Sequence, residues 1–392
     1  MGTATVITSR CTTRARACVA SLLLCASQAP AWAENEPDPR AADAWPMFRG
    51  GPLQTGVAAE PLPTDLRVAW KFEAQDAFES TAAIIHRRVF VGSDDGNVYA
   101  LELSDGSLEW KYGVDAPVRA SPTFVRDKVI VGDDDGRVHA LDARTGARLW
   151  TYETGSQIIA SATPHEDRVV IGSYDGAVYC LTIDDGKLAW KFDTEGRVHG
   201  TAAVVAGQAI VAGCDQFLHV ISIADGRAVR RVEMGSVSGS SAAILGDRTF
   251  VGTYGNEVLG LNWKEGKVLW RFRDPDRQFP FLSSAAVAGG TVVIGGRDKR
   301  VHALDIETGK PRWAFAAQAR VDSSPVIAGD RVYVGSSDGN LYVLDRATGT
   351  ERARFEAGGP ITASPAVADG RLVIGTADGI LYCLEGKGPP GP

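Results

Sequence analysis

The chain is poor in cysteine, in long apolar runs and in excess positive charge, and each shortage excludes a class of protein. Six of its 392 residues are cysteine, and Cys11, Cys18 and Cys25 fall within the first 33. The other three, Cys180, Cys214 and Cys383, are an odd number and cannot all pair within one chain. Cys180 and Cys383 stand where a repeated pattern elsewhere has Ala100, Ala140 and Ala303, which reads as small buried side chains rather than metal or redox ligands. No segment reaches the roughly 18 apolar residues that a membrane-spanning helix requires. No Ser-His-Asp set, zinc-ligand spacing or paired-carboxylate motif is legible, and "RGGPLQTG" at 49–56 has neither the spacing nor the lysine of a phosphate-binding loop.

The first 33 residues differ from the rest. Arg10, Arg14 and Arg16 form a basic start without acids, the short apolar run "ACVASLLLCAS" follows, and Ala31-Trp32-Ala33 closes it, the layout of a cleaved secretory signal. The remaining chain is therefore expected to be exported, to the periplasm or the cell exterior. Removing three arginines from 41 basic residues leaves 38 against 48 acids, a formal charge of −10, so nucleic acid is not an expected partner. Cys25 follows three leucines rather than the small residue that precedes a lipidated cysteine, and no lipid anchor is expected.

What the chain has in abundance is repetition. The phrase "VIVGDDDGRVHALDARTGARLW" at 129–150 has counterparts starting at Val89, Val169, Ala209, Thr249, Val292, Val332 and Leu372, at intervals of 40 residues except one of 43. A Ser or Thr followed by Ala or Pro keeps the same beat, from Thr81 and Ser121 to Ser364. Two markers in phase at this period indicate a repeat architecture in which each unit buries its faces against its neighbours.

Within 120–152 four short segments rich in Val, Ile, Leu and aromatics are separated by glycine-containing turns, so each unit is predicted to hold four strands. Asp-Gly joins the second and third segments at Asp95-Gly96 and Asp135-Gly136, which predicts a type I′ hairpin with positive φ at both central residues. The "DDDG" run at 133–136 has contiguous rather than alternating acids, which argues for turn chemistry over a calcium loop. A second glycine turn, at Gly106, Gly146 and their equivalents, is followed four residues on by Trp110, Trp150, Trp190, Trp270 and Trp313, with Arg230 and Ala353 as exceptions. One large aromatic per unit reads as a wedge between neighbours.

These features predict an all-β fold, an eight-bladed β-propeller of four-stranded antiparallel blades. The last unit stops after its third strand, whereas "RVAWKFEA" at 67–74 supplies a fourth strand with no first three, so the N-terminal strand is expected to complete the last blade. The resulting boundaries are a signal at 1–33, an extension at 34–66 packing on the propeller through Trp45, Pro46 and Phe48, the propeller at 67–385 and a tail at 386–392.

The pattern Ala-x-Asp-x-x-Thr-Gly-x-x-x-Trp, intact at 140–150 and 303–313, resembles the PQQ-type propeller repeat, and the resemblance covers about residues 67–385. It implies two readings. Compact eight-bladed members, among them the scaffold lipoprotein of the outer-membrane β-barrel assembly machinery, are exported, carry no cofactor and bind an envelope or outer-membrane protein. Quinoprotein dehydrogenases instead hold pyrroloquinoline quinone and calcium over the channel, often beside a disulfide of adjacent cysteines, and carry long insertions. The absence of a Cys-Cys pair and the short chain favour the first reading, a non-enzymatic scaffold acting in outer-membrane protein assembly.

Two places stand out as candidate sites. Connections into each first strand converge on the channel mouth, and two residues before the Ser/Thr marker stand Glu79, Arg119, Ile159, His199, Gly239, Leu282, Asp322 and Thr362; Glu79, Arg119, His199 and Asp322 are the candidate ligand-binding residues. The interval of 43 places three extra residues in "RDPDRQFPFLSS" at 273–284, where Arg277, Phe279 and Phe281 have the composition of a protein-binding hot spot. Phe281 also takes the place held by Val118, Ile158 and Val198, the place of a buried residue. His139, His219 and His302 share a position filled elsewhere by tyrosine and read as blade surface.

Overall fold

A computed structural model of the protein describes residues 1–3 and 44–386. The signal reading beyond its first three residues, the extension at 34–43 and the tail from 387 onward fall outside the described residues. The propeller consists of eight sheets, each with four antiparallel strands, here lettered a to d from the channel outward. Blade 2 is representative, with strands Thr123–Val125, Lys128–Gly132, Arg137–Asp142 and Arg148–Glu153. Strands b and c are buried along nearly their whole length, as in "KVIVG" and "RVHALD", because neighbouring blades cover both faces. Strand d lies at the rim, where Trp150 is its one buried side chain. Among the described residues no helix is long and apolar enough to cross a membrane.

The N-terminal strand Leu66–Glu73 pairs antiparallel with Ile380–Gly386 and completes blade 8. Gly386 thus belongs to the strand that completes the propeller rather than to a tail. Where a conventional blade carries its c–d turn, this blade has two chain segments meeting.

Each tryptophan of strand d joins its blade to the next. Trp110 donates its indole N–H to the Ala143 carbonyl (3.1 Å), Trp150 to Ile183 (2.9 Å) and Trp70 to Leu103 (2.8 Å). The ring lies on the glycine of the next blade's c–d turn: Gly146 has φ +71°, and a Cβ there would stand 2.7 Å from the Trp110 ring. The two exceptions are explained by their neighbours. Arg230 lays its side chain against Gly266 as the tryptophans do, and Ala353 faces the one blade that has no c–d turn.

The turns differ from expectation in one respect. Asp95 and Asp135 stay outside the left-handed region, and only Gly96 (φ +79°) and Gly136 (φ +85°) enter it. The hairpin spans four residues, closed by Gly136 N–H to Asp133 O at 3.1 Å, so only its last residue needs positive φ. The aspartate is there to accept hydrogen bonds: Asp95 takes the Asn97 N–H, the Tyr99 hydroxyl and the Gln75 N–H of the preceding blade. Type I′ geometry occurs instead between strands a and b, at His86-Arg87 (φ +50° and +61°) and Arg126-Asp127 (φ +49° and +58°). His139, His219 and His302 are buried rather than surface residues, bonded through Nε2 to Asp133, Asp215 and Asp298 at 2.7–2.8 Å.

Around the channel the Ser/Thr markers form a belt. The Thr81 N–H donates to the Ser121 hydroxyl, Ser121 to Ser161, and so on to Ser364, seven joints of 2.8–3.0 Å. Residues 44–58 run across the inner strands. Trp45 exchanges two backbone bonds with Ile84, Pro46 accepts from Phe124, Pro52 from Val204, Leu53 from Ile244 and Gly56 from Ile327, and Val57–Ala58 adds in parallel to Val326–Ala328. Arg49 is enclosed there, its guanidinium donating to the Ala285 carbonyl, and burial pulls its pKa down to about 9.

Gly146→Val is expected to destabilise by about 2–4 kcal/mol, since it forces a β-branched residue to positive φ and displaces the Trp110 ring. Denaturant unfolding checks this, and an unchanged midpoint would refute the role of the wedge.

Candidate functional site

The connections from strand d to the next strand a bring Glu79, Arg119, His199 and Asp322 into one funnel of about 150 Å³. The Ser/Thr belt forms its wall, and Phe48 of the extension contributes to its lining. The inner ring was placed by its distance from the Ser/Thr marker, and its geometry is polarised. Arg119 is held among three carboxylates, at 2.8 Å from Asp134, 3.2 Å from Asp94 and 3.5 Å from Glu79. Across the funnel Asp322 pairs with Arg297 (2.9 Å) and Arg320 (3.1 Å). Between them the Tyr174 hydroxyl is hydrogen-bonded to His199 Nδ1, with the Arg197 guanidinium 5.2 Å from the Tyr174 ring centre.

Burial dominates the electrostatics. It holds the carboxyls of Glu79, Asp94 and Asp134 above their ordinary range, with mutual repulsion adding to it and Arg119 opposing it. It also lowers the His199 pKa and pushes Tyr174 up to about 12, so at neutral pH that pair is an uncharged imidazole hydrogen-bonded to a phenol. The arrangement holds charge in fixed pairs and offers polar contacts at a mouth.

A second ring, one residue past the end of the b strand's following turn position, supplies Asp94, Asp134, Tyr174, Tyr254 and Arg297. Sequence reasoning missed it, although these residues stand one before the turn aspartates, or before Gly255 in the case of Tyr254, and vary as the channel-mouth residues do. It also separates the acids of "DDDG". Asp133 is buried and bonds His139, Asp134 reaches Arg119, and Asp135 is exposed. Cys214 is half-buried with its thiol toward the Ser238 carbonyl, whereas Cys180 and Cys383 are buried and their thiols pushed up to about 12.

The long connection at 273–284 divides its three candidates. Phe279 is 50% exposed, Arg277 is exposed with its guanidinium donating to the Asp298 carbonyl (2.8 Å), and Phe281 is 1% exposed. Phe281 therefore offers no surface to a partner: its backbone N–H bonds Thr253 O as Val118 bonds Ser93 O, and its ring fills the core beside Phe272 and His302. Tyr254, next to Thr253, is 44% exposed, and its ring lies against Gly239 of the funnel mouth.

Eight blades around a polar funnel, joined by tryptophan wedges at six of their joints, define an eight-bladed β-propeller of the PQQ-repeat class. A family model described as outer membrane protein assembly factor BamB matches residues 63–164, 154–278 and 269–388, and the chain belongs to this family. The structure of BamB from Moraxella catarrhalis superposes with a TM-score of 0.70 at 20% identity, over 82% of this chain and 99% of that one. A europium-containing methanol dehydrogenase gives 0.73 at 13% identity, over 90% and 99%. Quinohemoprotein alcohol dehydrogenase ADH IIB of Pseudomonas putida is 32% identical over 81 residues, 19% of this chain, which spans only 12% of that protein's length. The structural likenesses show the shared fold.

Because the folded state raises the three carboxyl pKa values, it binds protons more tightly than the unfolded chain. Their contribution to stability therefore rises as pH falls from neutral through the raised values toward the ordinary carboxylate value near about 4. Arg119→Met removes their counter-charge and is expected to cost about 1–2 kcal/mol at pH 7 after solvent screening, a deficit that shrinks toward pH 5. Thermal unfolding at both pH values checks this; an equal deficit at each would mean that lost packing is responsible.

Proposed function

We propose that the protein is an exported, non-enzymatic scaffold whose funnel face holds an envelope protein engaged in outer-membrane protein assembly. The observation that carries this reading is the aromatic side chain exposed on the longest connection of the funnel face. Phe279 stands half-exposed on the one connection that is three residues longer than its counterparts, and Arg277 is anchored beside it. Aromatic and arginine side chains presented on a rigid frame are the groups that dominate protein interfaces. Membership of the family described as outer membrane protein assembly factor BamB supports the same reading.

The alternative, a quinone-dependent dehydrogenase, asks the same mouth to hold pyrroloquinoline quinone, a planar tricyclic tricarboxylate, together with calcium. The residues present do not fit the cation of that pair, because the Arg119 guanidinium already fills the acidic corner of the funnel that calcium would require.

A photo-crosslinking residue at position 279 is expected to capture an outer-membrane assembly protein in the cell envelope. Phe279→Ala should weaken that association at least tenfold without moving the melting temperature, whereas Phe281→Ala should cost about 3–5 kcal/mol of stability through the cavity it leaves. Saturable, stoichiometric binding of pyrroloquinoline quinone and calcium by the purified chain would overturn the scaffold reading.

A further inference from the structure

We infer that a cleft between blades 1 and 2, on the face opposite the funnel, is a receptor for the guanidinium group of arginine. The inference goes beyond the scaffold reading and does not depend on it. The cleft measures about 390 Å³ and is lined by the a–b hairpin of blade 1, strand residues Phe90 and Phe124, and the c–d turn of blade 2 from Asp142 to Arg144.

Its meaning comes from what fills the equivalent place at the other joints. The first residue of strand b is Arg168, Arg248, Arg331 or Arg371 in four blades, and in each the guanidinium crosses to the next blade and donates to a backbone carbonyl. Arg168 reaches Ile223 O (2.7 Å), Arg248 reaches Ile306 O (3.5 Å), Arg331 reaches Leu62 O (2.8 Å) and Arg371 reaches Leu103 O. Three of these carbonyls also accept the indole N–H of a tryptophan wedge, from Trp190, Trp270 and Trp70. The slot is thus built for two donors, an indole and a guanidinium. The other joints differ: Trp263 takes the sequence place of Ile223 and donates to Gly246 O of its own blade, Arg346 lies over Gly289, and Lys128 spans to Asp184.

Between blades 1 and 2 two residues leave it open. Glu109 is the only acid at its position, where the other blades have Ala69, Leu149, Ala189, Val229, Leu269, Arg312 and Arg352. It draws Arg88 aside into an ion pair of 2.7 Å. Among the seven blades that have a c–d turn, Ala143 is the smallest residue at a position otherwise held by leucine, isoleucine, tryptophan or arginine. The Ala143 carbonyl accepts from Trp110 but lacks the guanidinium that Ile223, Ile306 and Leu103 receive at their joints.

The lining fits a guanidinium arriving from outside. Asp142 uses Oδ1 to bond its own turn, through Arg144 N and the Thr145 N–H and hydroxyl. Its equivalents Asp305 and Asp345 give Oδ2 to Arg312 and Arg352, but blade 2 has Leu149 at that position. Phe90 and Phe124 stack at 6.2 Å with His86 edge-on to Phe124 at 5.4 Å, supplying the aromatic walls that favour a planar cation. The charge of Arg88 is already balanced by Glu109, so an incoming cation meets the carboxylates of Asp142 and Asp127, with Arg144 as the one further cation of the lining.

The test is a titration of the full chain, followed through the Trp110 indole resonance, with free L-arginine, with acetyl-Gly-Arg-Gly-amide and with citrulline, which keeps the shape without the charge. Saturation by either arginine compound, with at least tenfold weaker response to citrulline, is the expected result; response to the capped peptide assigns the slot to arginine within a polypeptide, and response to the free amino acid alone assigns it to the metabolite. Glu109→Gln, which frees Arg88 to fill the slot, and Ala143→Leu, which restores the residue that blade 1 carries at Leu103, should each reduce binding at least tenfold with the melting temperature retained. Asp142→Asn should weaken it several-fold. Equal response to citrulline, no saturation by either arginine compound at millimolar concentration, or undiminished binding in both slot-filling variants would overturn the inference.

Discussion

The constraint on which the whole molecule depends is the pairing of Leu66–Glu73 with Ile380–Gly386. A ring of blades has no stable edge until it closes, and here closure joins segments more than 300 residues apart in sequence. The entropic cost of that loop grows only slowly with its length, whereas the unclosed ring would leave the third strand of blade 8 as an open edge. The same N-terminal region does more than supply a strand. Leu62 O receives Arg331 and the Tyr333 hydroxyl, taking the part that the c–d turn carbonyl plays at other joints, and Trp70 wedges blade 8 onto blade 1.

Once the ring is closed, its stability is a repeated local interaction. An indole donates across each of six joints and lies on a glycine that only positive φ can provide. Such joints make the frame rigid and nearly symmetric, and a symmetric frame has no address for a particular ligand. Specific recognition must therefore come from departures from the repeat. The departures cluster in three places: the polarised funnel mouth, the longer connection that lifts Phe279 into solvent, and the joint between blades 1 and 2, where Glu109 and Ala143 interrupt the pattern. Each replaces a residue that serves the frame with one that the frame does not need.

Much of this was legible in the sequence. The period of 40 residues with its two markers determined the number of blades, and the lone strand at 67–74 determined how the ring closes, because an antiparallel blade with three strands requires a fourth from elsewhere. The positions of the tryptophan wedges and of the c–d glycines followed from spacing alone, since the φ that a tight turn needs is a local property. The inner ring of the funnel could be named because every blade presents its equivalent residue at the same place.

Tertiary structure decided what depends on neighbours in the next blade. Whether Asp-Gly makes a two-residue or a four-residue hairpin turns on bonds to the preceding blade, such as Gln75 to Asp95, that no single repeat contains. Burial of Phe281 and exposure of Phe279, two residues apart in one loop, follow from which of them meets Thr253. The second ring of the funnel, the fixed Tyr174–His199 pair and the slot vacated by Arg88 arise only when two repeats are placed side by side. The sequence by itself thus determined the blade and the count of blades, because those are set by local turns and alternating burial. The contacts between blades set the charge of the mouth and the shape of the clefts, because they join residues that spacing along the chain keeps far apart.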